Sequence, residues 1–285
     1  MKNFYKLLGI GLSFSVMTLI SGCGGGSTST TTASTGTVLM NITDAPVDDE
    51  NVLGVHIAFD AIHYKPADAE WVVEELNETR VINLLELQNG ASEFLAQTEL
   101  PTGHINQVRF MIDTDQCVIE LADEGNVSLT VPSGEQTGYK AVGGFVVAAG
   151  GEINVTADFD VRKSLVLDAN GYKLKPTIRI VDNSQIGEIN GTINTDGNTS
   201  AVIYAYTDGT WDEATETSND FANAVTSSAV VDGSFTLPWL SAGIYDLAVV
   251  EVDNTGGFSA VLGVVEDVDV SADGKTNLDI DINNL

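Results

Sequence analysis

The sequence predicts an all-β protein with two consecutive β-sandwich domains, preceded by an N-terminal leader and a flexible linker. After residue 36, apolar and polar residues alternate with a period of two through most of the chain. Gly, Asn and Asp separate these alternating segments and favour turns between strands. The charge pattern divides the chain, because nine of the ten basic residues after the leader lie before residue 184.

The leader is predicted to occupy residues 1–22. Two lysines near the start precede an uncharged, mostly apolar stretch at 7–20. That stretch is shorter than the ~20 residues of a membrane-spanning helix and has the length of a signal-peptide core. Residues 20–23, Ile-Ser-Gly-Cys, resemble the lipobox of bacterial lipoproteins. The resemblance implies cleavage before Cys23 and a diacylglyceryl group on its thiol; the alternative is an ordinary secretory signal with an incidental cysteine.

A linker is predicted at residues 23–36, which are nearly all Gly, Ser and Thr after the cysteine. Such a composition buries too little apolar surface to offset chain entropy, so it predicts a flexible tether. Gly24 follows the cysteine where an aspartate would imply retention in the inner membrane. The lipoprotein resemblance therefore implies a lipid anchor in the cell outer membrane, with the folded part facing the periplasm or the cell surface.

The chain after the leader is strongly acidic, with 10 basic residues against 41 acidic ones and a net charge of −31. This charge repels nucleic acids and anionic headgroups, so the predicted membrane partner is reached through the lipid anchor alone. A solvating acidic surface is the favoured interpretation, and a role in binding divalent cations is the alternative.

The first domain is predicted at residues 37–183. Its alternating segments are VLMNIT, GVHIAFDAIHY, QVRFMID, EINVTADFDV and YKLKPTIRIVD. In each segment, every second side chain is apolar and is expected to face a core. The segment at 82–100 breaks the alternation, so we expect a short helix or an ordered loop there, interrupted at Asn89-Gly90.

The second domain is predicted at residues 184–285, and it repeats a motif of the first. LPTGHINQVRFMID begins at Leu100 and LSAGIYDLAVVEVD begins at Leu240, each with a glycine suited to a turn of positive φ before an alternating strand. GEINGTINTDGNTSAVIYAY and VDGSFTLPWLSAGIYDLAVV resemble the carboxypeptidase regulatory-like module. That resemblance implies a transthyretin-like, immunoglobulin-like β-sandwich and specifies no function.

The first domain resembles the DUF4382 domain of bacterial lipoproteins. The resemblance covers residues 36–183 and rests on VLMNITDAPVDD, INLLEL, LPTGHINQVRFMID and DFDVRKSLVLDANGYKLKPTIRIVD, which occur in the order of the family. It implies no catalytic residue, because the family is one of unknown function.

The sequence predicts no catalytic site. His56 and His63 are seven residues apart, which places them on opposite faces of a regular strand, so they share a metal only if a bulge intervenes. No zincin, nucleophile-elbow, phosphate-loop or dinucleotide motif is present in the sequence. Cys117 is expected to be a small buried thiol. A remote hydrolase is the least favoured alternative.

No cofactor is predicted, with calcium as the alternative. Asp44, Asp48, Asp49 and Glu50 form an oxygen-rich segment after the first strand, which is the ligand type that calcium prefers. The competing interpretation is a turn whose acids are solvated. A second acidic segment, residues 269–280, has partial EF-hand spacing but ends in Ile280 where the bidentate acid is required. A hairpin with an Asp-Gly turn is expected there.

Carbohydrate binding is the other function considered, because aromatic rings stack on sugar faces. Trp211 lies in the polar segment TDGTWDEATE and is the tryptophan expected near solvent. Trp71 resembles an edge or hairpin residue, and Trp239 lies beside predicted core strands. The predicted function is a non-catalytic binding or structural module of the cell envelope, with a carbohydrate-binding or calcium-dependent surface lipoprotein as the alternative. Its expected partner is an envelope protein or a glycan.

Overall fold

A computed structural model describes residues 34–45, 51–132, 137–169, 171–194, 200–253 and 257–285. They belong to one compact unit. Their regular structure is nearly all β-strand, which confirms the all-β prediction. The described helices are α1 (Val161–Ser164), α2 (Glu213–Thr217) and short 3₁₀ segments. No helix in this described part is long and apolar enough to cross a membrane.

The strands of the first sandwich are β1 (Thr35–Ala45), β2 (Val52–Pro66), β3 (Val72–Asn83), β4 (Glu93–Pro101), β5 (Gly103–Ile112), β6 (Val118–Leu121), β7 (Gly125–Ser128), β8 (Tyr139–Lys140), β9 (Phe145–Val147), β10 (Glu152–Asp160), β11 (Leu165–Asp168), β12 (Gly171–Leu174) and β13 (Ile178–Asp182). One sheet has the order β13-β10-β1-β4. The facing sheet has the order β7-β6-β2-β5-β8, with β3 added to β2 and β9 to β5.

The first core lies between these two sheets. The rings of Phe59, Phe110 and Phe159 meet edge to face, with centroids 5.6–6.1 Å apart. All three are fully buried, and they come from both sheets. Edge-to-face packing adds to the stabilisation from apolar burial, so this trio fixes how the sheets face each other.

The strands of the second sandwich are β14 (Ile186–Asn194), β15 (Ser200–Thr207), β16 (Thr226–Ala229), β17 (Ser234–Ser241), β18 (Gly243–Val252), β19 (Phe258–Val270) and β20 (Lys275–Asp281). They form a sheet of order β17-β14-β20 and a sheet of order β16-β15-β18-β19. Ile203, Leu247 and Phe235 belong to its core, which is separate from the first core. The two predicted sandwiches are therefore both present.

Both sandwiches share one strand plan, which explains the repeated motif. β1 pairs in parallel with β10 and antiparallel with β4, and β14 does the same with β20 and β17. In each case the next strand, β5 or β18, joins the opposite sheet after the turn that contains the motif glycine. Gly103 has the expected positive φ of 119°, whereas Gly243 does not adopt a left-handed conformation.

The irregular segment at 82–100 combines a 3₁₀ turn with a strand. Residues Leu84–Leu87 form the 3₁₀ turn, Asn89 and Gly90 reverse the chain with positive φ, and β4 follows.

The prediction of a hairpin at residues 269–280 is wrong. β19 and β20 belong to different sheets, because β20 pairs in parallel with β14 instead of folding back on β19.

The predicted boundary at residues 183 and 184 lies in a 3₁₀ segment between β13 and β14. Polar contacts cross between the sandwiches. Arg162 Nη1 donates to the carbonyl oxygens of Asp220 and Phe221 at 3.2 and 2.9 Å, and Lys163 Nζ donates to that of Ala224 at 2.5 Å. Independent folding of the two domains stays a prediction.

Candidate binding face

Cationic side chains gather on the outer face of the sheet formed by β2, β5 and β8. Alternation along β2 buries Ile62 and Tyr64 in the core and turns His63 and Lys65 outward. Along β5, Val108 and Phe110 are buried while Arg109 points away from them. Because one strand face is fixed by the core, the position of the cations on the other face is fixed as well.

Strand pairing places these residues in one row. Val73 of β3 is opposite His63, His63 is opposite Arg109, and Arg109 is opposite Lys140 of β8. Directly paired residues share a face of the sheet, and neighbouring strands lie ~4.8 Å apart. We call Lys65, His63, Trp71, Arg109 and Lys140 the cationic face.

Trp71 lies immediately before β3 and completes the face. Trp71 is 36% exposed. The guanidinium carbon of Arg109 lies 5.0 Å from the centroid of the indole ring, and the imidazole of His63 approaches the ring edge to face at 6.4 Å. A cation at this distance from a tryptophan ring is attracted by the electron density of its face. The contact orients both side chains.

Neutral groups hold the Arg109 guanidinium in place. The amide oxygen of Gln107, assigned by hydrogen-bond chemistry, accepts from Nε at 2.6 Å and from Nη2 at 3.1 Å. The carbonyl oxygen of Thr137 accepts from Nη1 at 3.0 Å. Lys65 Nζ likewise donates to a carbonyl oxygen, that of Ala69, at 2.8 Å. These partners position the cations without neutralising them.

The cations elsewhere in the described chain are mostly paired with carboxylates. Six of them lie within 4.0 Å of an acid: Arg80, Arg162, Lys163, Lys173, Arg179 and Lys275. Among the described residues, four lysines and arginines have no carboxylate at that distance: Lys65, Arg109, Lys140 and Lys175, of which the first three belong to the cationic face. Glu75, two residues after Val73 on β3, is an acid that borders the row. The face can therefore attract an anionic group beside an exposed aromatic ring.

Trp211, the predicted ligand residue, packs against other aromatic residues and is half-buried. Its ring meets Tyr206 edge to face at 4.9 Å and lies parallel to Phe221 at 6.4 Å. Phe221 in turn stacks on Tyr204 at 4.5 Å. Trp211 is thus part of a satellite cluster on the second sandwich, which is the packing role that competed with ligand binding.

Asp44, the described member of the predicted calcium segment, is a strand residue of β1 and is buried, with 2% exposure. Its Oδ1 accepts a hydrogen bond from the backbone N–H of Val161 at 3.0 Å. Asp48, Asp49 and Glu50 lie outside the described residues. In the part that the structure describes, no three His, Cys, Asp or Glu side chains form a group that could hold a metal ion.

A second candidate site is a groove of about 280 Å³ next to Trp239. Its lining includes Gly90, Asn183, Glu188, Pro238, Trp239 and Lys275. Trp239 has a φ of 58° at an irregularity in the pairing of β14 with β17, and a bulky residue rarely adopts this conformation. Lys275 and Glu188 form an ion pair with each other, which leaves Asp273 as the remaining charged residue of the lining.

The sequence does not show whether a bulge in β2 places its two histidines on the same face of the strand. The register of β2 shifts between Phe59 and Ala61, and both His56 and His63 point away from the core. They contact different partners: His56 Nε2 lies 3.7 Å from Glu120, and His63 packs on Trp71. The bulge therefore places them on one face without bringing them together.

Cys117 is fully buried, as expected. Burial raises the pKa of its thiol to about 11, so it is protonated at neutral pH and is a poor nucleophile. Cys23, the predicted lipidation site, lies outside the described residues.

Sequence reasoning missed the cationic face as a site. The alternation in IHYK and QVRF indicates which side chains point outward. The pairing that aligns His63, Arg109 and Lys140 is long-range, and no local motif encodes it.

The family comparison covers the first sandwich. Residues 35–176 match the family model described as "Domain of unknown function (DUF4382)". The match covers the first sandwich from β1 to β12 and ends before β13. The family description assigns no activity. No curated protein matches the chain.

Solved structures offer remote likenesses. A putative adhesin from Bacteroides ovatus is 8% identical over 92% of this chain and 94% of its own, with a TM-score of 0.25. BcpA, the major pilin subunit of Bacillus cereus, is 11% identical over 87% of this chain and 70% of its own, with a TM-score of 0.21. The Bacillus anthracis TIE protein is 12% identical over 87% of this chain, with a TM-score of 0.20, and the match spans only 33% of that protein. At these scores the likenesses carry no argument about function.

Proposed function

We propose that this protein is a lipid-anchored, non-catalytic binding module of the bacterial cell envelope. Cys23 carries the anchor in the outer membrane, the Gly/Ser/Thr segment is the tether, and the cationic face of the first sandwich is the binding surface. The lipobox-like residues 20–23 and the composition of the linker support the anchored placement.

The observation that carries the binding role is the row of cations without carboxylate partners. In a chain with 41 acidic residues, an outward-facing cation would readily find a carboxylate, and six others in the described chain do so. Arg109 is instead fixed by Gln107 and Thr137, and it packs on the half-exposed ring of Trp71. An oriented cation that keeps its charge favours recognition of an external anion.

Binding is favoured over catalysis by the shape and chemistry of this surface. It is the outer face of a sheet, and its titratable residues are two lysines, an arginine and a histidine with a bordering glutamate rather than a converging pair of acids. Carbohydrate binding is the more specific form of this function, because Trp71 supplies an exposed ring. The calcium-dependent alternative has no comparable support among the described residues.

The anchor is tested by the variant Cys23→Ser, with Cys117→Ser as the matched control because it removes the other thiol. Cells are fed labelled palmitate, and the protein is followed by label and by partitioning into detergent. We expect Cys23→Ser to lose the label and enter the aqueous phase, and Cys117→Ser to keep the label. Undiminished labelling of Cys23→Ser would overturn the lipid anchor and leave the binding face untouched.

A further inference from the structure

We propose that the cationic face binds an acidic carbohydrate, an oligosaccharide whose sugars carry carboxylates. The inference rests on the proposed function, in which this face is the binding surface, and it assigns the chemical class of the ligand.

The aromatic part of the face fits a sugar ring. A pyranose presents apolar C–H groups on one side, and a flat exposed ring is the complementary surface. Trp71 is 36% exposed and Val73, in the cation row, is 45% exposed. The Arg109 guanidinium and His63 hold the indole in one orientation. Because the ring is already ordered before binding, little side-chain entropy is lost when a sugar packs on it.

The cations fit the carboxylates of such a ligand. Arginine recognises carboxylates through its planar fork, and two of the five N–H groups of Arg109 are not used by Gln107 or Thr137. Lys140 lies beside it in the row, and Lys65 lies on the neighbouring row opposite Gln107. Arg109 and Lys140 are directly paired on adjacent strands, ~4.8 Å apart, and Lys65 is a diagonal neighbour of Arg109 at roughly 7–8 Å, so carboxylates repeated along a saccharide chain can meet successive cations.

The rest of the molecule disfavours the other large anions. The net charge of −31 repels a phosphate-dense nucleic acid or an anionic bilayer, both of which extend well beyond the face. Single-stranded nucleic acids also require several stacking platforms, whereas the face offers one tryptophan. A short acidic saccharide that lies along the row contacts only the cationic part of the surface.

The experiment uses the full chain with Cys23→Ser and measures binding by calorimetry. The probes are an oligogalacturonate and the neutral oligosaccharide obtained by reducing its carboxylates, with polyphosphate and anionic vesicles as the alternative anions. We expect saturable binding of the oligogalacturonate, with at least ~10-fold weaker binding of the neutral form. Lys140→Gln, an exposed position, and Arg109→Gln should each weaken binding of the oligogalacturonate, the latter by about 10-fold or more.

Trp71→Ala should weaken binding by a similar factor. Phe258→Ala is its matched control, because Phe258 is an exposed aromatic residue of the second sandwich with 45% exposure. Lys275→Gln is the matched control for the cations, because Lys275 is exposed and paired with Glu188. Both controls should leave the affinity unchanged. Thermal melts of each variant show whether a loss of binding reflects unfolding.

Three outcomes would overturn the inference. Equal binding of the neutral and acidic oligosaccharides would remove the role of the cations. Binding of polyphosphate or of anionic vesicles that is lost in Arg109→Gln, without oligogalacturonate binding, would keep the face as a binding surface and reject its ligand class. If no probe binds in a manner that depends on Arg109 or Lys140, the proposed binding surface itself fails.

Discussion

At the residue scale, Asp158 of β10 shows the effect of burying a carboxylate, on the side of the strand opposite the core residue Phe159. It is only 5% exposed, and its Oδ2 accepts from Arg179 Nε at 2.6 Å. Burial raises the pKa of this carboxyl above its ordinary value, and the neighbouring Arg179 opposes that shift only in part. The cationic face is the opposite case, since Arg109 keeps its charge near solvent and has neutral partners.

The raised pKa of Asp158 predicts a pH-dependent stability. The folded state holds this proton more tightly than the unfolded state, so the contribution is complete below the unfolded pKa and is lost as pH rises through the higher folded pKa. The melting temperature of the wild type minus that of Asp158→Asn should therefore be most positive at acid pH and fall toward neutral pH. Melts of both proteins from pH 3 to pH 7, a range about the ordinary aspartate pKa, measure it. A difference that increases with pH would show that the ion pair with Arg179 dominates over burial.

At the element scale, the first strand of each sandwich needs a glycine where it passes close to the backbone of a turn later in the chain. A Cβ on Gly36 would lie 2.4 Å from the carbonyl oxygen of Ala148, and one on Gly187 would lie 2.4 Å from that of Ser271. The two sites are equivalent in the shared strand plan. Close approach of backbone, rather than a left-handed conformation, explains glycine at both positions.

This approach predicts that Gly187→Ala is destabilising. The added methyl group has to displace a backbone carbonyl, and overpacking of this kind costs about 1–3 kcal/mol. Gly243→Ala is the matched control in the same sandwich, because the nearest atom to its Cβ lies 3.8 Å away, and it should change stability by less than ~1 kcal/mol. Urea unfolding of both variants provides the measurement. Equal stability of the two would show that the turn at Ser271 moves without cost.

The elements also show what the sequence can predict. Alternation located the strands that contain Ile62, Tyr64, Val108 and Phe110, because the core imposes a period of two. It could not show that β20 crosses to β14 instead of pairing with β19, since both arrangements bury the same alternate residues. The alignment of His63, Arg109 and Lys140 also depends on strand register, which alternation does not show. Trp211 had a polar neighbourhood in sequence, but its partners Tyr206 and Phe221 come from separate segments.

At the scale of the whole molecule, the described residues form two separate cores beneath a largely acidic surface that includes the cationic face. Residues 23–285 contain 10 basic and 41 acidic residues, a net charge of −31, so the native state has considerable self-repulsion. Salt shortens the range of that repulsion, with a Debye length of ~10 Å at 0.1 M.

The acidic surface predicts how salts act on stability. Sodium chloride should raise the melting temperature gradually, and calcium chloride at equal ionic strength should add little, because the described acids form no three-ligand group. A calcium site would instead produce a saturable shift, as any ligand specific to the folded state does. A calcium-specific shift that disappears in a variant with Asp48→Asn and Asp49→Asn would assign the segment at Asp44 as a metal site and contradict the solvating interpretation.

In the proposed function, Trp71 and its neighbouring cations form the binding surface. The chain contains three tryptophans, Trp71, Trp211 and Trp239, so fluorotryptophan labelling gives one ¹⁹F resonance for each candidate site. Resonances are assigned with single Trp→Phe variants, and the labelled protein is titrated with oligogalacturonate. We predict a saturable shift of the Trp71 resonance, with those of Trp211 and Trp239 unchanged. A shift of Trp211 or Trp239 while Trp71 stays fixed, or no shift at all, would contradict the claim.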